Sequence, residues 1–263
     1  GLFRGTNLGG FSPYEHNFNN YTIVIGAQTL HAAGYAMGIV RDGAVGTGDP
    51  ERDTAALVFF GDGASSQGDV NEAFVFAAAG NLPVVFFCQN NQWAISEPVT
   101  TQSRVPLYQR ASGFGFPGVR VDGNDVLACL AVTGKALDDA RGAQGPTLIE
   151  AFTYRMNPHT TNDDPRRYRL AIEAETWKLK EPIERVRAYL TREARVSPGF
   201  FDDVEAEAKK LAEHIRKGAR ELPDPTPESL FDFVNVTMTD DVRAQREEFT
   251  EFVAVVSTVL NLE

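Results

Sequence analysis

Two short polar segments, each following a run of apolar residues, carry the side chains best suited to chemistry. The first is the Gly-Asp-Gly centred on Asp62, after Thr54–Phe60, and the second is the Asn-Asn that ends at Asn91, after Pro83–Cys88. The 29 positions between Asp62 and Asn91 accommodate one strand–helix–strand unit, so we expect both side chains at neighbouring strand ends. A carboxylate, an amide and a backbone carbonyl are the hard oxygen ligands that Mg²⁺ prefers. The spacing therefore predicts a Mg²⁺ site that the oxygens of a diphosphate complete.

The glycine-rich loop that begins at Gly61 also invites comparison with two nucleotide-binding motifs. The dinucleotide fingerprint GxGxxG fails, because the third glycine comes too late. The P-loop spacing is met from Gly63 to Gly68, but Asp69 stands where that motif needs lysine, and an acid there repels phosphate. A plain tight turn is the remaining alternative. Gly63 lets backbone amides approach phosphates closely, and the following helix N-terminus adds positive potential.

The elements that must position these residues alternate between strand and helix. This alternation predicts an α/β fold, a mostly parallel sheet flanked by helices. The predicted strands are 54–60, 83–88, 118–121 and 147–154, and the predicted helices are 26–37, 70–79 and 124–141, the last capped by Asn124. Ligands bind at the carboxyl ends of such strands, which selects the loops 61–68, 89–97 and 155–169.

The character of the chain changes from Ala171 onward, where charged and apolar residues alternate at helical spacing. This pattern predicts helices at 171–194, bent near Pro182, and at 198–218 and 239–260, with an extended connector at 222–227. We therefore expect an α/β domain over 1–195 and a helical C-terminal tail over 196–263 that serves packing and subunit contact.

Composition excludes several classes of partner. The net charge of −11 comes without a block of Lys or Arg, which argues against nucleic acid. Cys88 and Cys129 each lie in an apolar run and are predicted to be core residues rather than a disulfide, as in a reducing, cytoplasmic compartment. No apolar run of about 18 residues predicts a membrane span, and the first residues lack the apolar stretch of a signal peptide.

Several longer segments resemble a known family of enzymes. The thiamine diphosphate enzymes share a GDG motif and a later NN, and more narrowly this chain resembles the alpha subunits of 2-oxo acid dehydrogenases that act on branched-chain 2-oxo acids or pyruvate. The segments are FFGDGASSQGDVNEAFVFAAAGNLPVVFFCQNNQWAIS, VRVDGNDVLA, GPTLIEAFTYR and HTTNDDPRRYR. The resemblance runs from about Thr22 to Tyr189 and is loose after Ser197. It implies a thiamine-diphosphate-binding fold.

The resemblance also implies a set of metal and diphosphate ligands. Mg²⁺ would be held by the Asp62 carboxylate, the Asn91 amide and the backbone carbonyl of Trp93. Gly63 and Ala64 would offer backbone amides to the diphosphate.

Further roles fall on two other segments. The backbone of Ile23 and Ile25 would hold the aminopyrimidine ring of the cofactor. His159 aligns with the family's active-site histidine, which contacts the cofactor, and Tyr168 and Arg169 with residues that order its loop. Independently, His159 lies in a polar loop after a strand end, where a neutral imidazole can donate a hydrogen bond and move protons. We expect this loop to be mobile until ligand binds.

The chain departs from the family pattern at several points. It begins where the family has an N-terminal segment that supplies a Tyr-Arg pair to the diphosphate, and that pair is not found here. Gln89 stands where branched-chain relatives often carry Arg, and Pro158 replaces a histidine. Thr160 replaces a serine that is phosphorylated in animal relatives, so control by a kinase is not expected.

The function implied is thiamine-diphosphate-dependent oxidative decarboxylation of a branched-chain 2-oxo acid, or of pyruvate, with acyl transfer to a lipoyl group of an acyltransferase. The family takes its activating glutamate from a beta subunit, so a heterotetramer of two alpha and two beta chains is expected. A non-catalytic alpha-like subunit is the alternative, favoured by the missing Tyr-Arg pair. A transketolase-like enzyme is disfavoured, because HTTNDD does not match the loop of that family.

Overall fold

A computed structural model describes residue 17 and residues 24–193, 195–222, 226, 228–232 and 234–260. These residues fall into two compact units: the first lies within Tyr21–Val196, and the second comprises those from Ser197 onward together with residue 17. That each folds by itself as a domain stays a prediction.

The sheet of the first unit is parallel, as predicted. Its order is β1-β2-β6-β5, and every pairing within it is parallel. A separate antiparallel ribbon is formed by β3 and β4. The strands are β1 (Ala56–Gly61), β2 (Val84–Asn90), β3 (Trp93–Ala94), β4 (Glu97–Pro98), β5 (Gly118–Asp122) and β6 (Thr147–Phe152). The four predicted strands correspond to the four strands of the sheet, with shifted ends, whereas β3 and β4 were not predicted. β2 continues to Asn90 because that residue still pairs with Phe152.

Helices cover both faces of this sheet. The helices of the unit are α1 (Ala27–Arg41), α2 (Gly68–Ala79), α3 (Val99–Gln102), α4 (Arg110–Phe114), α5 (Val126–Arg141), α6 (Ala171–Lys178) and α7 (Pro182–Arg192). Side chains alternate across each strand, so Phe86 joins one buried cluster with α1 and α2, whereas Val85 joins another with α5. Apolar burial on both faces explains the unbroken apolar runs of the sequence.

The cap of α5 differs from the prediction. Asp125, rather than Asn124, precedes the helix, and its Oδ1 accepts the backbone N–H groups of Leu127 at 3.1 Å and Ala128 at 3.0 Å. Asn124 is used elsewhere, because its amide donates to the carbonyl of Lys180 at 2.8 Å. Either residue type can cap a helix, so the sequence alone did not separate them.

The predicted bent helix at 171–194 is two helices, α6 and α7. Pro182 occupies the first position of α7, where a missing N–H costs nothing. Glu181 caps that helix, accepting the N–H of Glu184 at 2.6 Å. The chain therefore breaks here instead of bending.

The second unit contains two long helices, α8 (Phe200–Glu221) and α9 (Asp240–Leu260), close to the predicted ranges. Leu222 is extended after α8, but most of the predicted connector lies outside the described residues. None of the helices in the described ranges is both long and apolar enough to span a membrane. Both Cys88 and Cys129 are free thiols, and Cys88 is a core residue as predicted. The core prediction is wrong for Cys129, which is only partly buried and packs against the second cluster from α5.

Candidate functional site

The predicted pairing of Asp62 and Asn91 is present at one edge of the sheet. Asp62 directly follows β1 and Asn91 directly follows β2, and these strands are neighbours. The backbone N–H of Asn91 donates to Oδ1 of Asp62 at 3.2 Å. The unit formed by β1, α2 and β2 therefore brings Asn91 next to Asp62.

Asp62 is buried with half of its carboxylate unsatisfied. Its exposure is 1%, and Oδ2 has no hydrogen-bond partner among the described residues. Burial raises the pKa of Asp62, opposed by the backbone N–H groups of Asp62 and Asn91, the nearby side chain of Gln102 and the charge of Arg155. Nε2 of Gln102 forms no hydrogen bond to Oδ2, and it too lacks a partner among the described residues. A buried carboxylate oxygen without a partner is costly unless a cation satisfies it. The donor chemistry of this site therefore fits a divalent metal ion.

The turn that follows β2 offers two more oxygen atoms. Oδ1 of Asn91 accepts the N–H of Trp93 at 3.1 Å, across Gln92, whose φ is 72°. The carbonyl of Trp93 accepts Nη1 of Arg155 at 3.2 Å. Each of these oxygens has a second lone pair, so its present hydrogen bond leaves room for a metal contact.

Backbone amides face the same region from the loop after β1. The N–H groups of Gly63 and Ala64 donate to no acceptor within the described part of the chain, whereas that of Ser65 closes a turn on the Asp62 carbonyl at 3.1 Å. A Cβ on Gly63 would meet the Cβ of Ala94 at 2.8 Å, so only glycine fits beneath the β3–β4 ribbon. Free amides beside an unsatisfied anion suit a diphosphate bridged by a metal.

The loop after β6 holds His159 by its backbone. His159 is exposed; its N–H donates to Oδ2 of Asp163 at 2.8 Å. The same oxygen accepts the hydroxyl of Tyr168 at 2.6 Å, which keeps the pKa of Asp163 low. Nη2 of Arg155 donates to that hydroxyl at 2.8 Å. The loop is thus linked through Arg155 to the carbonyl of Trp93.

Arg155 is the residue of this site that the sequence reasoning missed. It also donates to the carbonyl of Ile95 at 2.7 Å, and its own carbonyl accepts Nη1 of Arg169. Arg169 further donates to the carbonyl of Met156 at 2.6 Å. Its position directly after a strand of the predicted site was the available signal, but nothing in the sequence shows that a guanidinium will bind carbonyls.

Of the two residues expected at the aminopyrimidine ring, only Ile25 lies in the described part of the chain, and no hydrogen bond joins it to the residues of this site there. Ile23 lies outside the described residues. Ile25 is 59% exposed and precedes Gly26, whose carbonyl accepts the N–H of Thr29 at 3.0 Å as α1 begins. Their assignment stays a prediction.

No group of three or more His, Cys, Asp or Glu side chains that could hold a metal ion occurs in the described ranges. A site of one carboxylate, one amide and one backbone carbonyl is not of that kind, since diphosphate and water would supply its other ligands.

Comparison with known proteins gives a consistent match. A family model described as the dehydrogenase E1 component matches residues 5–228. The chain is 44% identical over 247 residues to the 3-methyl-2-oxobutanoate dehydrogenase subunit alpha of Mycobacterium tuberculosis, covering 94% of this chain and 65% of the relative. It is 37% identical over 250 residues to the pyruvate dehydrogenase E1 component subunit alpha of Staphylococcus aureus, with the same two coverages. The chain thus spans just under two thirds of the length of these relatives.

Proposed function

The chain belongs to the family of dehydrogenase E1 components, and on that premise we propose that it is the alpha subunit of a thiamine-diphosphate-dependent 2-oxo acid dehydrogenase. The reaction is oxidative decarboxylation of a 2-oxo acid, with transfer of the acyl group to a lipoyl group of an acyltransferase component. The observation that carries the proposal is the buried, unpartnered Oδ2 of Asp62 beside Asn91.

Each residue has a role that follows from its place. Asp62, Asn91 and the carbonyl of Trp93 would hold Mg²⁺, with Asp62 supplying the negative charge. The free amides of Gly63 and Ala64 would bind the diphosphate. A bound Mg²⁺ would supply positive charge that balances part of the diphosphate charge.

Thiamine diphosphate, when bound, supplies a carbon nucleophile and an electron sink for decarboxylation. The chain itself binds and orients the reacting groups. Backbone groups of Ile23 and Ile25 would hold the aminopyrimidine, and the exposed imidazole of His159 would donate a hydrogen bond or move a proton at the substrate side.

A branched-chain 2-oxo acid is the proposed substrate. Its support is the higher identity to the relative named for 3-methyl-2-oxobutanoate, 44% against 37% for the one named for pyruvate. The test compares kcat/KM for 3-methyl-2-oxobutanoate and for pyruvate, using the chain assembled with its beta partner. A higher value for pyruvate contradicts the substrate but not the reaction.

The proposed partners are a beta subunit, in an assembly of two alpha and two beta chains, and a lipoyl-bearing acyltransferase, in the cytoplasm. The activating glutamate of the family comes from the beta subunit, so the alpha chain provides half of the active site.

The decisive experiment replaces Asp62 with Asn, which keeps the shape and removes the charge. Calorimetric titration of thiamine diphosphate with Mg²⁺ into the alpha–beta assembly should show binding for the unaltered chain and none for Asp62→Asn. Asp69→Asn, a second acid of the same segment, is the matched control and should bind normally. Equal affinity in the Asp62→Asn assembly contradicts the proposed metal site.

A further inference from the structure

Glu150 is a carboxylate in the middle of the central strand β6, with an exposure of 1%. In register it lies between Cys88 of β2 and Arg120 of β5. Nε of Arg120 is 3.9 Å from Oε1 of Glu150, too far for a hydrogen bond. A desolvated carboxylate with such weak charge compensation costs free energy that an apolar residue would avoid. The residue therefore calls for an explanation other than packing.

Both oxygens of Glu150 accept hydrogen bonds from uncharged donors. Nδ2 of Asn90 donates to Oε1 at 2.7 Å, and the backbone N–H of Tyr108 donates to Oε2 at 3.0 Å. An ionised carboxylate accepts at both oxygens, whereas an amide pairs one acceptor with one donor. Glutamine at this position would turn an NH₂ group toward one of the two donors.

The orientation of the Asn90 side-chain amide, set by its hydrogen bond to Glu150, in turn affects the turn after β2. Because Glu150 takes Nδ2, the Oδ1 of Asn90 faces the other way and accepts the N–H of Gln92 at 3.0 Å. Gln92 is held at φ 72°, a left-handed conformation that is unfavourable for a residue with a side chain. Nε2 of Gln92 donates to the carbonyl of Thr153 at 2.7 Å, which secures the turn from the other side.

This turn, residues 90–93, carries two of the proposed metal ligands, the amide of Asn91 and the carbonyl of Trp93. If the amide of Asn90 were reversed, its NH₂ would face the N–H of Gln92 and the turn would lose the contact that holds it. The hydrogen bond from Nδ2 of Asn90 to Oε1 of Glu150 opposes that reversal, since a carboxylate oxygen accepts from the NH₂ side of Asn90.

We propose that Glu150 is a positioning residue that acts through Asn90. It holds the turn 90–93 in the conformation that binds the divalent cation, and it thereby sets the affinity of the site for Mg²⁺. The inference rests on the proposed function, and it assigns a role to a buried carboxylate and to the first asparagine of the Asn-Asn motif.

The test measures Mg²⁺ binding by calorimetry, with thiamine diphosphate present, in the assembly of the chain with its beta partner. Glu150→Gln should weaken Mg²⁺ binding about tenfold, the effect of one unsatisfied buried donor. Cys88→Ala removes a buried neighbour of Glu150 without touching Asn90, so it should lower the unfolding temperature and leave the Mg²⁺ affinity unchanged.

An exchange variant separates positioning from general disruption. In Glu150→Gln with Asn90→Asp, the glutamine NH₂ faces the new carboxylate, its carbonyl accepts the N–H of Tyr108, and the second carboxylate oxygen accepts the N–H of Gln92. The loss of Mg²⁺ binding free energy in the double variant should be smaller than the sum of the losses in the two single variants. This coupling is independent of any direct effect of a charge at position 90.

Two results would overturn the inference: a loss of Mg²⁺ affinity in Glu150→Gln no larger than in Cys88→Ala, or no coupling in the exchange variant. If Glu150→Gln does not fold, Mg²⁺ binding is compared between Asn90→Asp and the double variant. A double variant that folds and binds Mg²⁺ more tightly than Asn90→Asp supports the inference. A double variant that folds without this gain in Mg²⁺ binding contradicts it. An unaltered assembly that binds no Mg²⁺ with thiamine diphosphate would instead overturn the proposed function, and this inference with it.

Discussion

At the scale of single residues, the buried carboxylate of Asp62 suits the proposed Mg²⁺ binding but lowers the stability of the metal-free fold. Burial raises the pKa of its carboxyl, so the folded chain holds the proton more tightly than the unfolded chain does. Such a group favours folding below its unfolded pKa, and this contribution is lost as the pH rises through its folded pKa. Once the pH has risen through that folded pKa, the metal-free protein therefore contains an ionised group that the fold disfavours.

We predict that Asp62→Asn stabilises the metal-free protein at neutral pH by roughly 1 kcal/mol, as is common when a strained site residue is replaced. The difference in the free energy of unfolding between variant and unaltered chain should shrink as the pH falls toward the usual pKa range of aspartate. The side chain at position 62 is then neutral in both proteins. Urea unfolding at several pH values measures it. A variant that is less stable than the unaltered chain at neutral pH contradicts the prediction.

At the scale of elements, the site depends on a loop that follows β6 and is tied back to the β2 turn. Spacing and chemistry in the sequence predicted the three strand ends and the pairing of Asp62 with Asn91, because parallel strands place their carboxyl ends together. The contacts of Arg155 could not be predicted, since a guanidinium that binds carbonyls has no characteristic spacing. Within this loop, Asp164 pairs with Arg166 at 2.8 Å, whereas Arg169 binds carbonyls.

Tyr168→Phe tests how this loop is ordered. The substitution keeps the ring near Trp93, whose centroid is 5.3 Å away, but removes the hydroxyl between Arg155 and Asp163. Limited proteolysis near His159 should become faster, while the overall free energy of unfolding falls by no more than about 1 kcal/mol. Tyr35→Phe, on the exposed side of α1, is the control. Equal cleavage rates in both variants would contradict a role for the hydroxyl.

The cap of α5 gives a second prediction at this scale. Asp125→Ala removes the acceptor for two backbone N–H groups and should destabilise the chain by about 1 kcal/mol. Asp125→Asn should cost less, because it keeps the cap and loses only the ion pair with Arg185 at 3.0 Å, whose partners are partly exposed. Thermal unfolding of the two variants checks the order, and an equal loss in both would assign the effect to the ion pair.

At the scale of the whole molecule, the described surface leaves apolar side chains in water. Tyr35 of α1 is 55% exposed, and Val75 and Phe76 of α2 are 45% and 46% exposed. The buried face of α1, which includes Ala33 and Ala36, packs within the chain. Exposed apolar side chains on two helices that pack together, as α1 and α2 do, are typical of a surface that another subunit covers.

We predict that the purified chain does not decarboxylate 2-oxo acids unaided and gains activity when mixed with its beta partner. Light scattering should give the mass of two alpha and two beta chains. Phe76→Ser should weaken this assembly, whereas Val105→Ser, at an exposed position outside α1 and α2, should not. Decarboxylation by the isolated alpha chain would contradict the shared active site.

The strand order β1-β2-β6-β5 also has a consequence for how the protein is made. β6, which lies beside β2, is the last strand of the sheet to leave the ribosome. Parallel pairings between distant segments form slowly. Asp62 and Asn91 can meet as soon as β1 and β2 pair. The turn between Asn90 and Trp93 is held by contacts with Glu150, Thr153 and Arg155. These residues are translated only with β6 or directly after it. A nascent chain halted before Thr147 therefore carries the proposed metal ligands but not the residues that hold their turn, and we expect cofactor binding only once translation has passed β6.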